Sequence, residues 1–313
     1  MGHRANYAIR ERGILELRSS RWGARTLPDD LFSGLPAVLD FIRDLPDTDY
    51  LYDDVSCEGC LLVDLDQQVV LVEGVSELFF SGLLRRATVA TLRQQWAGWT
   101  FFRTDDPATD MADYLGFDDA LRARLDAGGE IVPISASQLR RDGLPNLATA
   151  EIAITDPAGT THFYLTDHPL LSLLAHGEGI CEQLPGAQPA ELDANEKLWA
   201  YAGIDHQQKR LAIWQDIPEF QFEERLRPFW PGWRIERVSL IEAIHHSGHP
   251  QAFNVSETDL ARARQKLATE LSSPKAAELL AGLHAHVERL QRQSDMIKLG
   301  RGFWNVSRPD GLT

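Results

Sequence analysis

Two copies of the motif Trp-x-Gly-Trp constrain the fold of this chain more than any other feature. The first copy is Trp96-Ala97-Gly98-Trp99 and the second is Trp230-Pro231-Gly232-Trp233, and together they contain four of the eight tryptophans. Each copy follows a segment with helical spacing and precedes a strand-like run. Because tryptophan is rare, its repetition in the same local order indicates an internal duplication. We interpret each motif as a structural corner, in which the glycine turns the chain and the tryptophans fix a helix against a sheet.

The chain around the two motifs predicts the same series of hairpins and helices in both halves. Alternating apolar residues predict the hairpins. The hairpins fall over residues 6–18 and 61–72 in the first half, and over residues 152–165 and 198–214 in the second. A helix over residues 77–95 leads to the first motif. In the second half, Asp216 followed by Pro218 and Glu219 predicts a capped helix before the second motif. The turn containing Asp66 matches the turn containing Asp205, which supports the duplication.

These elements predict an α+β fold built of two related modules, each of antiparallel hairpins and helices around a largely antiparallel sheet. The expected boundaries are 1–146 for the first module and 147–254 for the second. Residues 255–313 form a C-terminal helical extension, which opens with the capping signal Ser256-Glu257-Thr258-Asp259. The extension is expected to be an antiparallel helical pair, with a dimerisation or partner-binding element as the alternative.

The charge of the chain narrows the class of partner. The formal net charge is −15, and a field of that sign opposes contact with nucleic-acid phosphates or anionic lipid and favours basic partners. No run approaches the ~18 consecutive apolar residues that a membrane span needs. The N-terminus leads into no apolar signal core, so we expect a cytoplasmic protein without a membrane segment.

The residues capable of binding a metal do not form a complete site. Cys57 and Cys60 have the spacing of half a zinc site, but the remaining ligands would have to come from Cys181 or from the cluster His245, His246 and His249. We therefore expect two ordinary thiols and no metal. No glycine-rich phosphate loop and no Gly-x-Ser-x-Gly elbow is present, so no cofactor is expected and no catalytic residue is indicated.

Two groups of side chains are candidates for a functional site. The first is an acidic segment with interleaved tyrosines, in which aromatic rings would supply buried area and carboxylates would steer a basic partner. Its members are Asp47, Asp49, Tyr50, Tyr52, Asp53 and Asp54. The second group consists of polar and aromatic residues at and after the first strand, which are pocket candidates. Its members are His3, Arg4, Asn6 and Trp22.

The opening Met1-Gly2-His3-Arg4-Ala5-Asn6-Tyr7, together with the two Trp-x-Gly-Trp motifs, resembles uncharacterised bacterial proteins that begin in the same way. The match covers a small part of the chain. The resemblance implies a bacterial, cytosolic origin and brings no activity, substrate or catalytic residue with it.

Two functional hypotheses follow. The leading one is a non-catalytic, acidic protein-binding role, such as that of a bacterial immunity or antitoxin-like protein that neutralises a basic partner. The alternative is a hydrolase or transferase that acts on a small molecule in a cleft between the two modules. That alternative predicts that His3 and Arg4 converge with His162 or Asp205 in one pocket.

Overall fold

The computed structural model describes residues 3–27, 29–52, 57–74, 82–117, 150–166, 169–180, 197–256, 258–259 and 261–263. Residues 1–255 form one compact unit, which contains both sheets, and residues 256–313 form a second unit. Of the residues singled out from the sequence, Asp53, Asp54 and Cys181 lie outside the described residues, as does the extension beyond residue 263.

The first sheet has five strands in the order β2-β1-β3-β4-β5. The strands are β1 (Arg4–Glu11), β2 (Ile14–Ser20), β3 (Cys57–Asp64), β4 (Val69–Glu73) and β5 (Thr100–Arg103). The α-helices of this part are α1 (Gly34–Arg43), α2 (Gly82–Gln95) and α3 (Pro107–Leu115), and two 3-10 turns, Gly23–Arg25 and Asp29–Ser33, precede α1. The hairpins predicted over residues 6–18 and 61–72 are both confirmed.

The second sheet also has five strands, in the order β7-β6-β8-β9-β10. The strands are β6 (Ala150–Thr155), β7 (Thr161–Thr166), β8 (Ala200–Asp205), β9 (Arg210–Gln215) and β10 (Arg234–Arg237). The α-helices are α4 (Leu170–Leu174), α5 (Phe222–Leu226), α6 (Leu240–His246) and α7 (Pro250–Phe253), with 3-10 turns at Gly177–Gly179 and Arg227–Phe229. The two hairpins predicted for this half are confirmed.

The two sheets have the same topology, and both are mixed rather than largely antiparallel. Each sheet contains two neighbouring hairpins, and the first strands of the two hairpins are paired in parallel. These parallel pairs are β1 with β3 and β6 with β8. The last strand of each sheet is parallel to its neighbour. The expectation of a largely antiparallel sheet was therefore wrong. Parallel neighbours require crossover connections, and the helical segments between the hairpins provide them.

The register of the second hairpins identifies which residues of the two modules correspond. Asp64 pairs with Val69 and Asp205 pairs with Arg210, each at the last position before the turn. Each of these aspartates accepts a hydrogen bond at 2.9 Å from a backbone N–H three residues later. The structural counterpart of Asp205 is therefore Asp64, and the sequence match of Asp205 with Asp66 was wrong by two residues. Both turns are closed by an aspartate, which is why the sequences look alike.

The tryptophan motifs occupy the same place in both modules, between a helical segment and the last strand. The indole N–H of Trp96 donates to the carbonyl of Leu31 at 3.1 Å, and that of Trp230 donates to the carbonyl of Leu174 at 2.7 Å. Both tryptophans are almost fully buried. Each therefore joins its corner to the helical segment that connects the two hairpins of its module.

The rest of the motif builds the turn itself. The second tryptophan lies edge-on to the first, with ring centroids 5.1 Å apart in the first copy and 4.7 Å apart in the second. Gly98 has a φ of 90° and Gly232 a φ of 79°, a left-handed conformation that other residues adopt at a cost. These contacts agree with the interpretation of each motif as a structural corner.

Helix α2 belongs to the first sheet by sequence, yet its arginines reach the second. Arg85 makes a bidentate pair with Asp216, with Nε–Oδ2 at 3.0 Å and Nη2–Oδ1 at 2.8 Å, and both side chains are buried. Arg86 donates to the carbonyl of Phe253 at 2.8 Å. The predicted role of Asp216 as a helix cap was wrong, because its carboxylate is taken by Arg85 and α5 begins only at Phe222.

In the part of the chain that the structure describes, no helix combines the length and apolarity that crossing a bilayer requires. In the C-terminal unit, the backbone N–H of Asp259 donates to the hydroxyl of Ser256 at 3.1 Å, and the backbone N–H of Ser256 donates to the carboxylate of Asp259 at 2.9 Å. The capping signal predicted at this point is therefore present.

Candidate functional site

Asn6 joins the two groups of residues that the sequence indicated. Its side chain is fully buried in β1. The Asn6 amide donates to the carbonyl of Tyr52 at 3.0 Å, and its oxygen accepts from the Tyr52 backbone N–H at 2.8 Å. This reciprocal pair holds the tyrosine segment against the start of the first sheet. Asn6 is thus a structural link between the two groups rather than a lining residue.

Two sets of side-chain contacts start near the beginning of β1, one at Tyr52 and the other at Trp22. The guanidinium of Arg4 lies 5.5 Å from the centroid of the Tyr52 ring, and Tyr50 lies edge-on to the same ring at 5.9 Å. His3, next to Arg4, contacts the ring of Trp22 with centroids 6.3 Å apart. Tyr50 and Trp22 are 52% and 55% exposed, which is unusual for side chains of this size.

Three carboxylates lie near these residues, in contact or in the chain. The carboxylate of Glu58 contacts the imidazole of His3, a contact that the sequence did not indicate. Asp47 pairs with Arg18 at 2.5 Å and is 84% exposed, and Asp49 is also exposed. We call this set the aromatic–acidic surface. It comprises His3, Arg4, Trp22, Asp47, Asp49, Tyr50, Tyr52 and Glu58.

The convergence that the enzyme hypothesis requires has no contact to support it. His162 lies 3.8 Å from Asp156 in the second module, and Asp205 lines a pocket of that module. Among the described residues, no contact joins His3 or Arg4 to either of them. The hydrolase or transferase alternative therefore stays a prediction.

The cysteines and histidines singled out from the sequence occupy separate environments. Cys57 and Cys60 are buried in β3, and burial, with Cys57 nearby, raises the pKa of the Cys60 thiol. His245 and His246 are exposed at the end of α6, whereas His249 pairs with Glu151 at 2.5 Å. No group of three or more potential metal ligands is found among the described residues.

The second module contains a pocket of about 320 Å³ that the sequence did not indicate. It lies on the face of the second sheet that carries α6, and all of its lining residues belong to that module. Its floor is formed by Tyr201 and Gly203 of β8. A Cβ on Gly203 would lie 2.8 Å from the Tyr201 hydroxyl, so only glycine at this position leaves room for the tyrosine side chain.

Tyr201 places a hydroxyl group in this pocket. The residue is only 3% exposed, and its hydroxyl makes no hydrogen bond within the described part of the chain. Burial, together with the nearby carboxylate of Glu151, raises the pKa of Tyr201 well above its usual value. The phenol therefore keeps its proton at neutral pH and remains a hydrogen-bond donor.

The charged groups of the pocket carry an excess of carboxylate. Arg210 pairs with Glu236 at 2.5 Å and also with Glu242 of α6. Asp205 uses one carboxylate oxygen to accept the backbone N–H of Gln208, while its other oxygen has no hydrogen-bond partner among the described residues. The lining of the pocket thus contains one guanidinium, that of Arg210, and two carboxylates, those of Asp205 and Glu242, and their formal balance is negative.

A second group of charges lies where the two sheets meet. Arg103 of β5 pairs with Glu73 at 2.7 Å, and its backbone bridges to Glu219 of the second module. Glu219 is only 4% exposed. Burial raises its pKa to about 7; the Arg103 guanidinium lowers it, and the carboxylates of Asp105 and Glu73 add to the rise. This group joins the modules through buried charge.

Comparison of the chain with models of known protein families, with curated proteins and with solved structures found no match.

The pocket occupies a region that the first module fills with apolar side chains. Counting back from Asp64 and Asp205, the counterparts of Tyr201 and Gly203 are Cys60 and Leu62. In the first module these positions belong to a closed apolar core with Met111, Ala112 and Leu115 of α3. A glycine inside a strand signals a close approach of another group, so Gly203 was the one sequence signal that marked this pocket.

Proposed function

We propose that the protein binds a basic protein partner through the aromatic–acidic surface of its first module, in a non-catalytic role such as that of an immunity or antitoxin-like protein. The observation that carries this proposal is the exposure of two large aromatic side chains, Trp22 and Tyr50, in the module that also exposes Asp47 and Asp49. Tryptophan and tyrosine are the residues most enriched among those that dominate binding energy at protein interfaces.

The contacts within the surface support this role. Tyr52 is held by Asn6 and covered by the Arg4 guanidinium, so the centre of the surface is ordered before a partner arrives. Little side-chain freedom then remains to be lost on binding at that point. Trp22 and Tyr50 flank this centre and supply apolar area that a partner would cover.

The charge of the surface favours a basic partner. Asp47 and Asp49 precede Tyr50 in the chain, Glu58 contacts His3, and the whole chain carries a formal charge of −15. Charges of one sign around an interface speed the encounter with a partner of the opposite sign and reject partners of the same sign.

The proposal is tested by capture of partners from a bacterial lysate on the immobilised full chain, with Trp22→Ala as the variant. We expect the wild type to retain a protein with an isoelectric point above about 9, and to lose it as salt rises from about 50 mM to about 500 mM. Trp22→Ala should lower retention at least tenfold, since truncating an aromatic side chain that dominates binding costs about 2 kcal/mol or more.

The matched control is Ile14→Ala, which removes another exposed apolar side chain, 67% exposed, from the same module. It lies outside the aromatic–acidic surface, so retention should stay at the wild-type level. Absence of any basic protein at low salt, or equal losses in Trp22→Ala and Ile14→Ala, would overturn the proposal.

A further inference from the structure

The pocket of the second module has the dimensions of a ligand site. Its volume of about 320 Å³ falls within the range of about 300 to 1,000 Å³ that small-molecule sites occupy. The space exists because Gly203 and Ala212 stand at strand positions where the first module has Leu62 and Leu71. Phe163 and Val238 provide apolar walls.

Tyr201 presents to the pocket a hydroxyl group that makes no hydrogen bond within the described part of the chain. The Tyr201 residue is 97% buried, and its hydroxyl lies above Gly203, inside the pocket. As a protonated phenol it would donate to an oxygen or nitrogen acceptor on a bound molecule.

The charged groups of the pocket determine which charge a bound molecule should carry. The Arg210 guanidinium is already neutralised by Glu236 and Glu242, so it offers little to an anion. Asp205 keeps a carboxylate oxygen without a partner among the described residues. His245 and His246 stand at the rim and add positive charge only when they are protonated.

The spacing sets the size. The Tyr201 hydroxyl lies over Gly203, which is two residues from Asp205 on the same face of β8. Two residues of strand span about 7 Å. A ligand that reaches both groups therefore carries its acceptor and its cation about that distance apart.

We propose that this pocket binds a small organic cation: a primary amine held by Asp205, whose hydrogen-bond acceptor meets the Tyr201 hydroxyl and whose apolar body lies against Phe163 and Val238. This site is separate from the aromatic–acidic surface, and the proposal does not depend on the protein-binding function.

Three compounds of one skeleton and different charge test the proposal directly: tyramine, 4-hydroxyphenylacetamide and 4-hydroxyphenylacetate. Binding of each to the full chain is measured by calorimetry and by ligand-observed NMR near pH 8, where ordinary imidazoles are neutral. We expect tyramine to bind, the neutral amide to bind about tenfold more weakly, and the carboxylate not to bind. Binding of the carboxylate as tightly as tyramine, or failure of all three to bind, would refute the proposal without any variant.

Two variants then assign the contacts. Tyr201→Phe removes only the hydroxyl and should weaken tyramine binding about three- to tenfold, the range for one neutral hydrogen bond. Asp205→Asn retains an oxygen for the Gln208 N–H but removes the negative charge, so it should weaken tyramine binding at least tenfold. Asp49→Asn, which removes an exposed carboxylate of the first module, is the control and should leave tyramine binding unchanged. Wild-type affinity in both pocket variants would contradict the assignment.

Discussion

The two modules repeat one backbone plan and use one face of it differently. Strand order, strand directions and the tryptophan corner are the same in both. On the face that carries α3, Leu62 and its neighbours make a closed core, whereas on the face that carries α6 the glycine counterpart Gly203 leaves a pocket. The tryptophan corner is therefore a feature that both modules share, whereas the strand position of Leu62 and Gly203 differs between them.

The helices that precede the two corners differ as well. Helix α2 has 14 residues and sends Arg85 and Arg86 into the second module, whereas α5 has five residues. Charged side chains on a helix usually face solvent, but those of Arg85 and Arg86 do not. Buried carbonyl and carboxylate groups of the second module receive them instead.

The largest expected loss of stability comes from replacing Arg85 of α2, which contacts the second module. Arg85→Met should lower the free energy of unfolding by about 3 to 5 kcal/mol, because it leaves the Asp216 carboxylate buried without its guanidinium. Denaturant unfolding measures the loss. Arg43→Met, at an exposed ion pair with Glu11 and Glu16, is the control and should cost less than about 1 kcal/mol. Equal losses in the two variants would show that the buried pair does not join the modules.

A second test concerns the charges where the sheets meet. The pKa of Glu219 is about 7 in the folded protein and 4.5 ordinarily. Between those values the folded state binds more protons than the unfolded state, so the contribution of Glu219 to stability is greatest below about pH 4.5 and falls as pH rises to about 7. The full change is about 3 kcal/mol.

Glu219→Gln removes that titration. The difference in unfolding free energy between variant and wild type should move in favour of the variant by about 3 kcal/mol between pH 4.5 and pH 8. Glu224→Gln, at an exposed carboxylate of α5, provides the comparison and should leave the wild-type pH dependence in place. A constant difference between Glu219→Gln and wild type across this range would contradict the burial argument.

The smallest expected loss of stability tests whether the two tryptophan corners have the same structural role. Trp96→Phe and Trp230→Phe each remove an indole N–H from a buried carbonyl, that of Leu31 or of Leu174. Each should lower the free energy of unfolding by about 1 to 3 kcal/mol, the cost of a buried acceptor left without its donor. The two losses should agree within about 1 kcal/mol. A much larger loss at one corner would mean that the motifs share a sequence but not a structural role.

What the sequence predicted correctly depends on neighbouring residues. The hairpins and the turning glycines follow from alternation and local backbone preference. The capping contact between Ser256 and Asp259 follows from their spacing alone. The parallel arrangement of the hairpins, the contact of Arg85 with Asp216 and the link from Asn6 to Tyr52 join residues far apart in the chain. No local pattern specifies such pairs.

The candidate sites divide in the same way. The tyrosine segment and the polar start of β1 were each singled out from the sequence, but the contact between them is made by Tyr52 and the buried Asn6. The pocket rests on the absence of a side chain at Gly203. An empty space is visible only when the residues around it have been positioned.

The pair of Arg85 and Asp216 also orders events during synthesis. When α2 leaves the ribosome, 131 residues separate Arg85 from its acceptor, and at about 5 to 20 residues per second that acceptor is made roughly 7 to 26 seconds later. The first sheet can be complete in that interval while α2 still lacks the surface it packs against. The nascent chain therefore reaches its final stability only after residue 216 has emerged, and translation pauses between the two modules would prolong the period in which α2 is open to chaperones.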